Sequence, residues 1–449
     1  MDAGELARRA NVTKEQVEEW VRLGLIESTE NFGVDAVQRA RLLHLAVSRG
    51  LTAKAIAAAS VREGDILSRF VDFVAPVPGD VSSIDEAAAH TGLDPVFVRR
   101  LRTAGGLAET EVGPEDLEAM QSVRMAMDAG MPEVALLQLV RVFSDALSRV
   151  AEAEIRLFHI YVHDRMRADG VPPEEVARTT AAATDALIGL LEPSVLYFHR
   201  KAWTRAMRED VLGHLADTLA PAGPAGQMQV AVLFVDLASF TPLTEAMGDE
   251  AAADVLDRFS ELIRDQALHC DGRVVKQIGD EFMLVFPTAA GAVRYAIDVA
   301  DAAMREQHFP ALRMGAHAGS ALYREGDYLG ATVNLAARVA AQAQRGQLVV
   351  TRSVAEAHVD GRVAWSFAGS RVLKGVSEPI DLFELSFGSR AERQTDPVCG
   401  MDLDRDAATV RMTHTGEELV FCSASCRERF RADPARYWDT GTGPTSRST

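Results

Sequence analysis

The sequence predicts an α+β chain in three parts: an all-α region built on helix-turn-helix units, an α/β sandwich, and a small cysteine-rich module. Three observations predict it. Residues 1–145 contain an internal repeat at helical spacing, residues 228–387 switch to strand-length apolar runs alternating with helical patterns, and three of the four cysteines fall within residues 395–438. A length of 449 residues suits about three domains. The net charge of −18 and pI of about 5.1 argue against a broad nucleic-acid footprint. No apolar run approaches the roughly 18–20 residues that span a bilayer, and no basic-then-apolar N-terminus marks a secretory signal. Few, clustered cysteines fit a reducing setting, so the expected location is cytoplasmic.

The repeat comes first. Glu5 to Val12, followed by Val17, Trp20, Leu23 and Gly24, aligns with Glu86 to Leu93, followed by Val98, Leu101, Ala104 and Gly105, at an offset of 81 residues. The next helix continues the parallel at an offset of 80, Val37 with Leu117, Gly50 with Gly130 and Leu51 with Met131. A short helix, a tight turn and a second helix are helix-turn-helix spacing, expected as one unit over 1–75 and another over 81–145, with residues 71–80 as linker. Each unit resembles the winged helix of MerR-type regulators, and the pair resembles the regulatory region preceding some bacterial cyclases. DNA binding is disfavoured electrostatically. The first candidate recognition helix carries Glu15, Glu18 and Glu19 against Lys14 and Arg22; the second is more basic, with Arg99, Arg100 and Arg102 beside Asp94.

Residues 146–220 are expected to be a helical regulatory and dimerisation region. Two long helical segments, about 133–168 and 173–218, are interrupted at Gly170 to Pro173, with Glu174 and Glu175 in the first turn of the second. Ile155, Phe158, Val162 and Met166, then Leu187, Leu190, Leu191, Val195 and Phe198, recur at helical spacing. His159 and His163 form an i, i+4 pair that reads either as ordinary helix histidines or as a proton- or metal-responsive element. Residues 221–227, rich in Pro and Gly, are the expected linker into the next domain.

In the domain at 228–387, Val230 to Val235 is a buried strand that delivers Asp236 at its end, ahead of small residues and a helical pattern. Arg273 to Ile278 and Phe282 to Phe286 flank Gly279-Asp280-Glu281 as a hairpin. Pairing of these strands would bring Asp236 and Asp280 to one sheet edge, a donor set suited to Mg²⁺ or Mn²⁺. From Val333 the pattern is helical and puts Asn334 and Arg338 on one face, where a hydrogen-bonder and a fixed cation suit a sugar and a phosphoryl group. Cys270 has no partner within sequence reach, and His317 on the apolar run 312–321 reads as a satisfied core residue.

On these motifs residues 228–387 resemble the catalytic domain of class III nucleotidyl cyclases, a ferredoxin-like α/β sandwich. The resemblance implies Asp236 and Asp280 as ligands of two Mg²⁺ or Mn²⁺ ions, Lys276 and Asp327 as base readers, and Asn334 and Arg338 as transition-state residues. It also implies triphosphate contacts from Phe240, Thr241 and the late-loop Lys374. One ion would activate the ribose 3′-hydroxyl and the other would neutralise the β- and γ-phosphates, with pyrophosphate leaving in line. Backbone N–H groups over residues 238–241 would cradle phosphate oxygens. Donor-only Lys276 and acceptor-only Asp327 match adenine N1 and N6 and mismatch guanine, so ATP is the expected substrate. The family works as a head-to-tail dimer, so a homodimer carrying every residue should have two sites. Residues 278–282 are also similar to the Gly-Gly-Asp-Glu-Phe signature of diguanylate cyclases, with one glycine missing.

Residues 395–438 resemble a YHS domain, a small module common in metal-handling proteins. Cys399, Cys422 and Cys426 would favour Zn²⁺ or Cu⁺, with His414 the nearest candidate fourth ligand, or would be reduced thiols packed as small hydrophobes. Residues 439–449 read as a disordered tail. The leading expectation is an adenylate cyclase regulated by its N-terminal half. The alternative is a transcription regulator or scaffold using a silent cyclase fold.

Overall fold

The computed structural model describes residues 1–29, 31–63, 67, 82–107, 111–217, 227–357, 363–386, 393–406, 408–439 and 443–444. The expected linkers over 71–80 and most of 221–227, and most of the expected tail, lie outside these residues. Two compact units divide between residues 221 and 222 and are described separately.

In the first unit the repeat is structural. Helices α1 (Ala3–Ala10) and α2 (Lys14–Arg22) recur as α5 (Ile84–Thr91) and α6 (Pro95–Ala104), and α3 (Val34–Ser48) recurs as α7 (Pro114–Asp128). The caps recur with them. Asp2 and Ser83 cap the first helices, Thr13 and Asp94 the second, and a left-handed residue, Asn11 or Gly92, makes each turn. One detail departs from the sequence alignment: α6 is a residue longer than α2, so the left-handed counterpart of Gly24 is Gly106, not Gly105. In the second repeat strand β1 (Ser82–Ser83) pairs with β2 (Glu111–Val112), and in the first repeat Phe32 N–H donates to the Met1 carbonyl at 2.9 Å. Each repeat has its own core, one centred on Leu6, Val17 and Trp20, the other on Ala88, Phe97 and Val98.

After α4 (Ala53–Glu63), helix α8 (Glu133–Phe158) leads into a π-helical turn (His159–Asp164), α9 (Arg165–Ala168) and the 45-residue α10 (Pro173–Asp217). The first helical segment is therefore not one regular helix as expected. The π turn inserts where His159 and His163 stack, their rings 4.6 Å apart. No helix among the described residues is long and apolar enough to cross a membrane.

The second unit is built on strand β3 (Gln227–Leu237), flanked by β7 (Leu312–Arg324) and β5 (Glu281–Phe286) in an eight-stranded sheet. The outer strands are β4 (Arg273–Ile278) on one side and β9 (Gln347–Thr351), β11 (Ile380–Ser386) and β10 (Ser366–Arg371) on the other, with β8 (Asp327–Leu329) hairpinned onto β7. Strand β3 is apolar without alternation because both faces are covered. Leu233 and Val235 enter the core under α12 (Asp249–His269) and α13 (Ala289–Arg305), and Val232 and Phe234 enter the core under α14 (Ala331–Ala340).

The cysteine-rich segment is not packed by itself. Strand β13 (Met401–Asp404) pairs with β12 (Arg393–Thr395) and with the two-residue β6 (Phe309–Pro310) of the sandwich. Val398, Cys399, Met401, Phe421 and Phe430 belong to the same hydrophobic cluster as Leu237, Phe259 and Phe309. The module thus shares a core with the domain before it.

Candidate functional site

Strand β3 carries Asp236 to the sheet edge, where register pairs it with Glu281 on β5 and Arg313 on β7. The β4–β5 hairpin turns at Gly279 and Asp280, with Gly279 left-handed, so the expected meeting of Asp236 and Asp280 is present. Asp236 is buried, and burial followed by the Asp280 charge pushes its carboxyl up to about 7, against the pull of Arg313. Arg313 Nε donates to Asp236 Oδ2, whereas buried Oδ1 has no hydrogen-bond partner among the described residues. Burial also raises Glu281, with Arg313 acting against it and Asp280 with it. Crowded carboxylates, one arginine and an orphaned oxygen form a hard-donor set with unmet negative charge, which fits Mg²⁺ or Mn²⁺.

The chain after Asp236 turns sharply. Ser239 is left-handed at φ 74° and starts α11 (Phe240–Met247), with half-buried Phe240 and exposed Thr241 in its first turn. Arg345 holds this turn, Nη1 donating to Ser239 Oγ at 2.8 Å and to the Ala238 carbonyl at 3.3 Å.

Lys276 on β4 donates to Asp327 Oδ2 on β8, and both side chains are about one-third exposed. Asp327 Oδ1 accepts from Tyr328 N–H at 2.8 Å, which fixes its orientation. Asn334 and Arg338 sit one turn apart on α14, with Asn334 exposed and Arg338 half-buried. This helix lies almost on strand β7. A Cβ at Gly315 would fall 2.1 Å from Ala340 N, and one at Gly319 would fall 2.9 Å from Thr332 Oγ1. Only glycine lets the helix, and its two polar residues, come down that far. Arg338 reaches the late loop, where a Cβ at Gly375, next to exposed Lys374, would stand 3.3 Å from its guanidinium. The structure therefore forms three clusters: the acids with Arg313, Lys276 with Asp327, and Arg338 with the Lys374 loop.

His317 is half-buried, its Nδ1 2.8 Å from Thr351 Oγ1, and burial lowers its pKa. Cys270 Sγ lies 3.6 Å from Asp298 Oδ2, and burial raises its pKa.

In the C-terminal segment Cys399 lies on a turn before β13, Cys422 follows the strand Glu417–Phe421, and Cys426 lies in the first turn of the helix Ala424–Ala432. Cys422 Sγ is 3.5 Å from both other sulfurs. The fourth group is Asp396, not His414: the ligand atoms of Asp396, Cys399, Cys422 and Cys426 all lie within 4.8 Å of one another. His414 instead packs edge-on against Phe430, at 5.2 Å. Hydrogen bonds from Cys399 and Cys422 hold the Cys426 thiol well below its usual pKa, and Cys399 is held above its own by its hydrogen bonds to the other two thiols. Three cysteine sulfurs and a carboxylate brought together in this way fit a borderline tetrahedral cation such as Zn²⁺.

Sequence reasoning missed Arg313, Glu281, Arg345 and Asp396. Glu281 is adjacent to Asp280 and legible from the same hairpin; the others act across long-range pairings.

Residues 224–384 match the family described as adenylate and guanylate cyclase catalytic domain, residues 394–440 the YHS domain, and residues 24–198 the adenylate cyclase regulatory domain. An uncharacterized protein of Mycobacterium tuberculosis H37Rv is 30% identical over 380 residues, covering 80% of this chain and 93% of that one. A pH-sensitive adenylate cyclase of Mycobacterium tuberculosis is 28% identical over 370 residues, 80% of this chain and 90% of that one. An adenylate cyclase of Streptomyces coelicolor is 27% identical over 280 residues, 60% of this chain and 70% of that one.

Proposed function

Since the chain belongs to the class III adenylate and guanylate cyclase family, with a regulatory region before its catalytic domain and a YHS domain after it, we propose that it converts ATP to 3′,5′-cyclic AMP and pyrophosphate. The observation that carries this reading is Asp236, a buried carboxylate beside Asp280 at the end of the central strand, with an oxygen unpartnered among the described residues. Asp236 and Asp280 would hold two Mg²⁺ or Mn²⁺ ions, which supply charge neutralisation on the phosphates and a more acidic ribose 3′-hydroxyl. The backbone turn at residues 238–241 and Lys374 would bind the triphosphate. Arg338 would stabilise charge developing on phosphorus, a role worth ~3–4 kcal/mol for one preorganised donor, and Asn334 would orient the ribose. Lys276 and Asp327 stand side by side as one donor and one acceptor, which supports adenine over guanine.

The reading includes a homodimer in which the acids of one protomer face Lys276, Asp327, Asn334 and Arg338 of its partner. Its support is the exposed apolar surface on the helical region, including Ile155, Leu190, Phe198 and Val211. The N-terminal repeat acts as a regulatory platform and not a DNA reader. Arg99, Arg100 and Arg102 are each ion-paired, with Asp85, Glu133 and Asp116, and α2 exposes Glu15, Glu18 and Glu19. ATP as substrate fits a cytoplasmic location.

The experiment is product formation from ATP and from GTP with Mn²⁺, by the full chain, residues 221–449 and D280A. Cyclic AMP from ATP alone, lost in D280A, is the expected result, and the change on truncation gives the direction of control by the N-terminal half. Equal turnover of GTP refutes the base assignment. No product from either the full chain or residues 221–449, both with an intact site, returns the silent-fold reading.

A further inference from the structure

The cysteine cluster and the turn after Asp236 are joined by a short built path. Asp396 is fully buried, and its carboxylate ties the cluster together: Oδ1 accepts from the N–H groups of Val398 and Cys399, at 2.8 and 3.4 Å, and Oδ2 from that of Cys422 at 2.8 Å. The residue after Cys399 is Gly400, laid directly on Ser239. A Cβ at Gly400 would stand 2.5 Å from the Ser239 Cβ. Arg345 spans the same junction. Its Nη2 donates to the Gly400 carbonyl at 2.6 Å and to Asp402 Oδ1 at 2.8 Å, while its Nη1 holds Ser239 Oγ and the Ala238 carbonyl. Ser239 is a non-glycine residue in the left-handed region, a conformation that persists only where its surroundings impose it. Two further contacts grip the same helix: Arg429 Nη1 donates to the Glu245 carbonyl at 3.1 Å, and Arg436 Nη2 to Glu245 Oε2 at 3.0 Å.

We infer that a Zn²⁺-like cation held by Asp396, Cys399, Cys422 and Cys426 is an allosteric ligand of the nucleotide site, acting through Gly400 and Arg345 on the turn at Ala238 to Phe240. This rests on the proposal that the turn binds the triphosphate. Closing four ligands on one ion fixes the Cys399–Gly400 knuckle, and the knuckle and Arg345 together set the direction of the backbone that follows Asp236. Cation and nucleotide then each bind better to a chain already holding the other. By linkage the factor is the same in both directions, typically about 5–150-fold for two coupled sites.

The test uses the full chain, stripped with chelator under reducing conditions and checked by elemental analysis. Zn²⁺ affinity is measured by competition with a chromophoric chelator, with and without a saturating non-cyclisable ATP analogue and Mg²⁺. Analogue affinity is then measured with and without Zn²⁺. The expected result is an affinity shift of at least about 5-fold, equal in both titrations, with C426S losing one equivalent of zinc. R345M should keep that equivalent but bring the factor close to one; should it fail to fold, D402N removes only the far end of the bridge. Equal zinc affinity with and without bound analogue overturns the inference, as does a Cys399–Cys422 disulfide in place of metal binding. Failure of the analogue to bind zinc-free or zinc-loaded chain overturns the nucleotide-site reading as well, and is told apart because it appears in the analogue titrations.

Discussion

D236N should make the metal-free protein more stable at pH 8 while abolishing cyclase activity. The Asp236 carboxyl is pushed from an ordinary 3.8 to about 7 by burial and by Asp280. A raised acid adds nothing unfavourable below its unfolded value; the folded state then loses stability as pH climbs from about 4 to about 7, and the loss is complete above that. Some 3 pH units at ~1.36 kcal/mol each put the effect near 4 kcal/mol. Part of it is returned in the variant, because Arg313, about half exposed, loses a partner in an ion pair worth ~1 kcal/mol. The amide removes the buried charge at almost constant volume. A net gain of about 1–3 kcal/mol corresponds to roughly 3–10 °C in the melting of a unit of this size. The assay is thermal unfolding of stripped wild type and D236N at pH 5 and pH 8. The gain should be present at pH 8 and nearly absent at pH 5, and Mn²⁺ should stabilise only the wild type. Destabilisation of D236N by more than ~1 kcal/mol at pH 8 would mean that the Asp236–Arg313 pair is a net stabiliser, and would refute the argument that this carboxylate is held for a cation.

Three other outcomes follow from the geometry. D327A leaves Lys276 without its acceptor; kcat/KM for ATP should fall by about 10–100-fold, with a smaller ATP-to-GTP ratio in paired assays. G315A places a methyl 2.1 Å from a backbone nitrogen of α14, so the helix carrying Asn334 and Arg338 must move; kcat should fall at least tenfold and stability by about 1–3 kcal/mol, read by turnover and urea unfolding. H159Q/H163Q removes two stacked rings beside Asp164; if they gate the helices, the pH profile of the full chain between about 5.5 and 8 flattens toward that of residues 221–449, and an unchanged profile removes them as the sensor.

The parts of the site that were legible in the sequence are those made locally. An apolar run ending in Asp236, a hairpin turning at Asp280 and an i, i+4 pair on one helix each follow from period and turn chemistry within a dozen residues. Arg313 was not legible because its place opposite Asp236 depends on the register of two strands far apart in the chain, and a slip of one residue would turn it to the other face. Asp396 reads locally as the start of an Asp-Pro turn; its meeting with Cys422 requires the fold. The π turn escaped because one extra residue barely disturbs an apolar period. The longer α6 escaped because two adjacent glycines, Gly105 and Gly106, made the alignment ambiguous.

The contact between Ser239 and Gly400 also has a consequence in time. The two residues are 161 positions apart, so during synthesis the turn after the catalytic strand is complete in sequence long before the residue that braces it exists. At about 5–20 residues per second the interval is roughly ten to thirty seconds. A ribosome-bound chain that has already emerged through Arg338 and Lys374 carries every proposed catalytic position but not Gly400, Asp402, Arg429 or Arg436. Bracing of the turn is thereby tied to synthesis of the segment from Gly400 to Arg436, and a chain cut short after the sheet is finished leaves it unbraced.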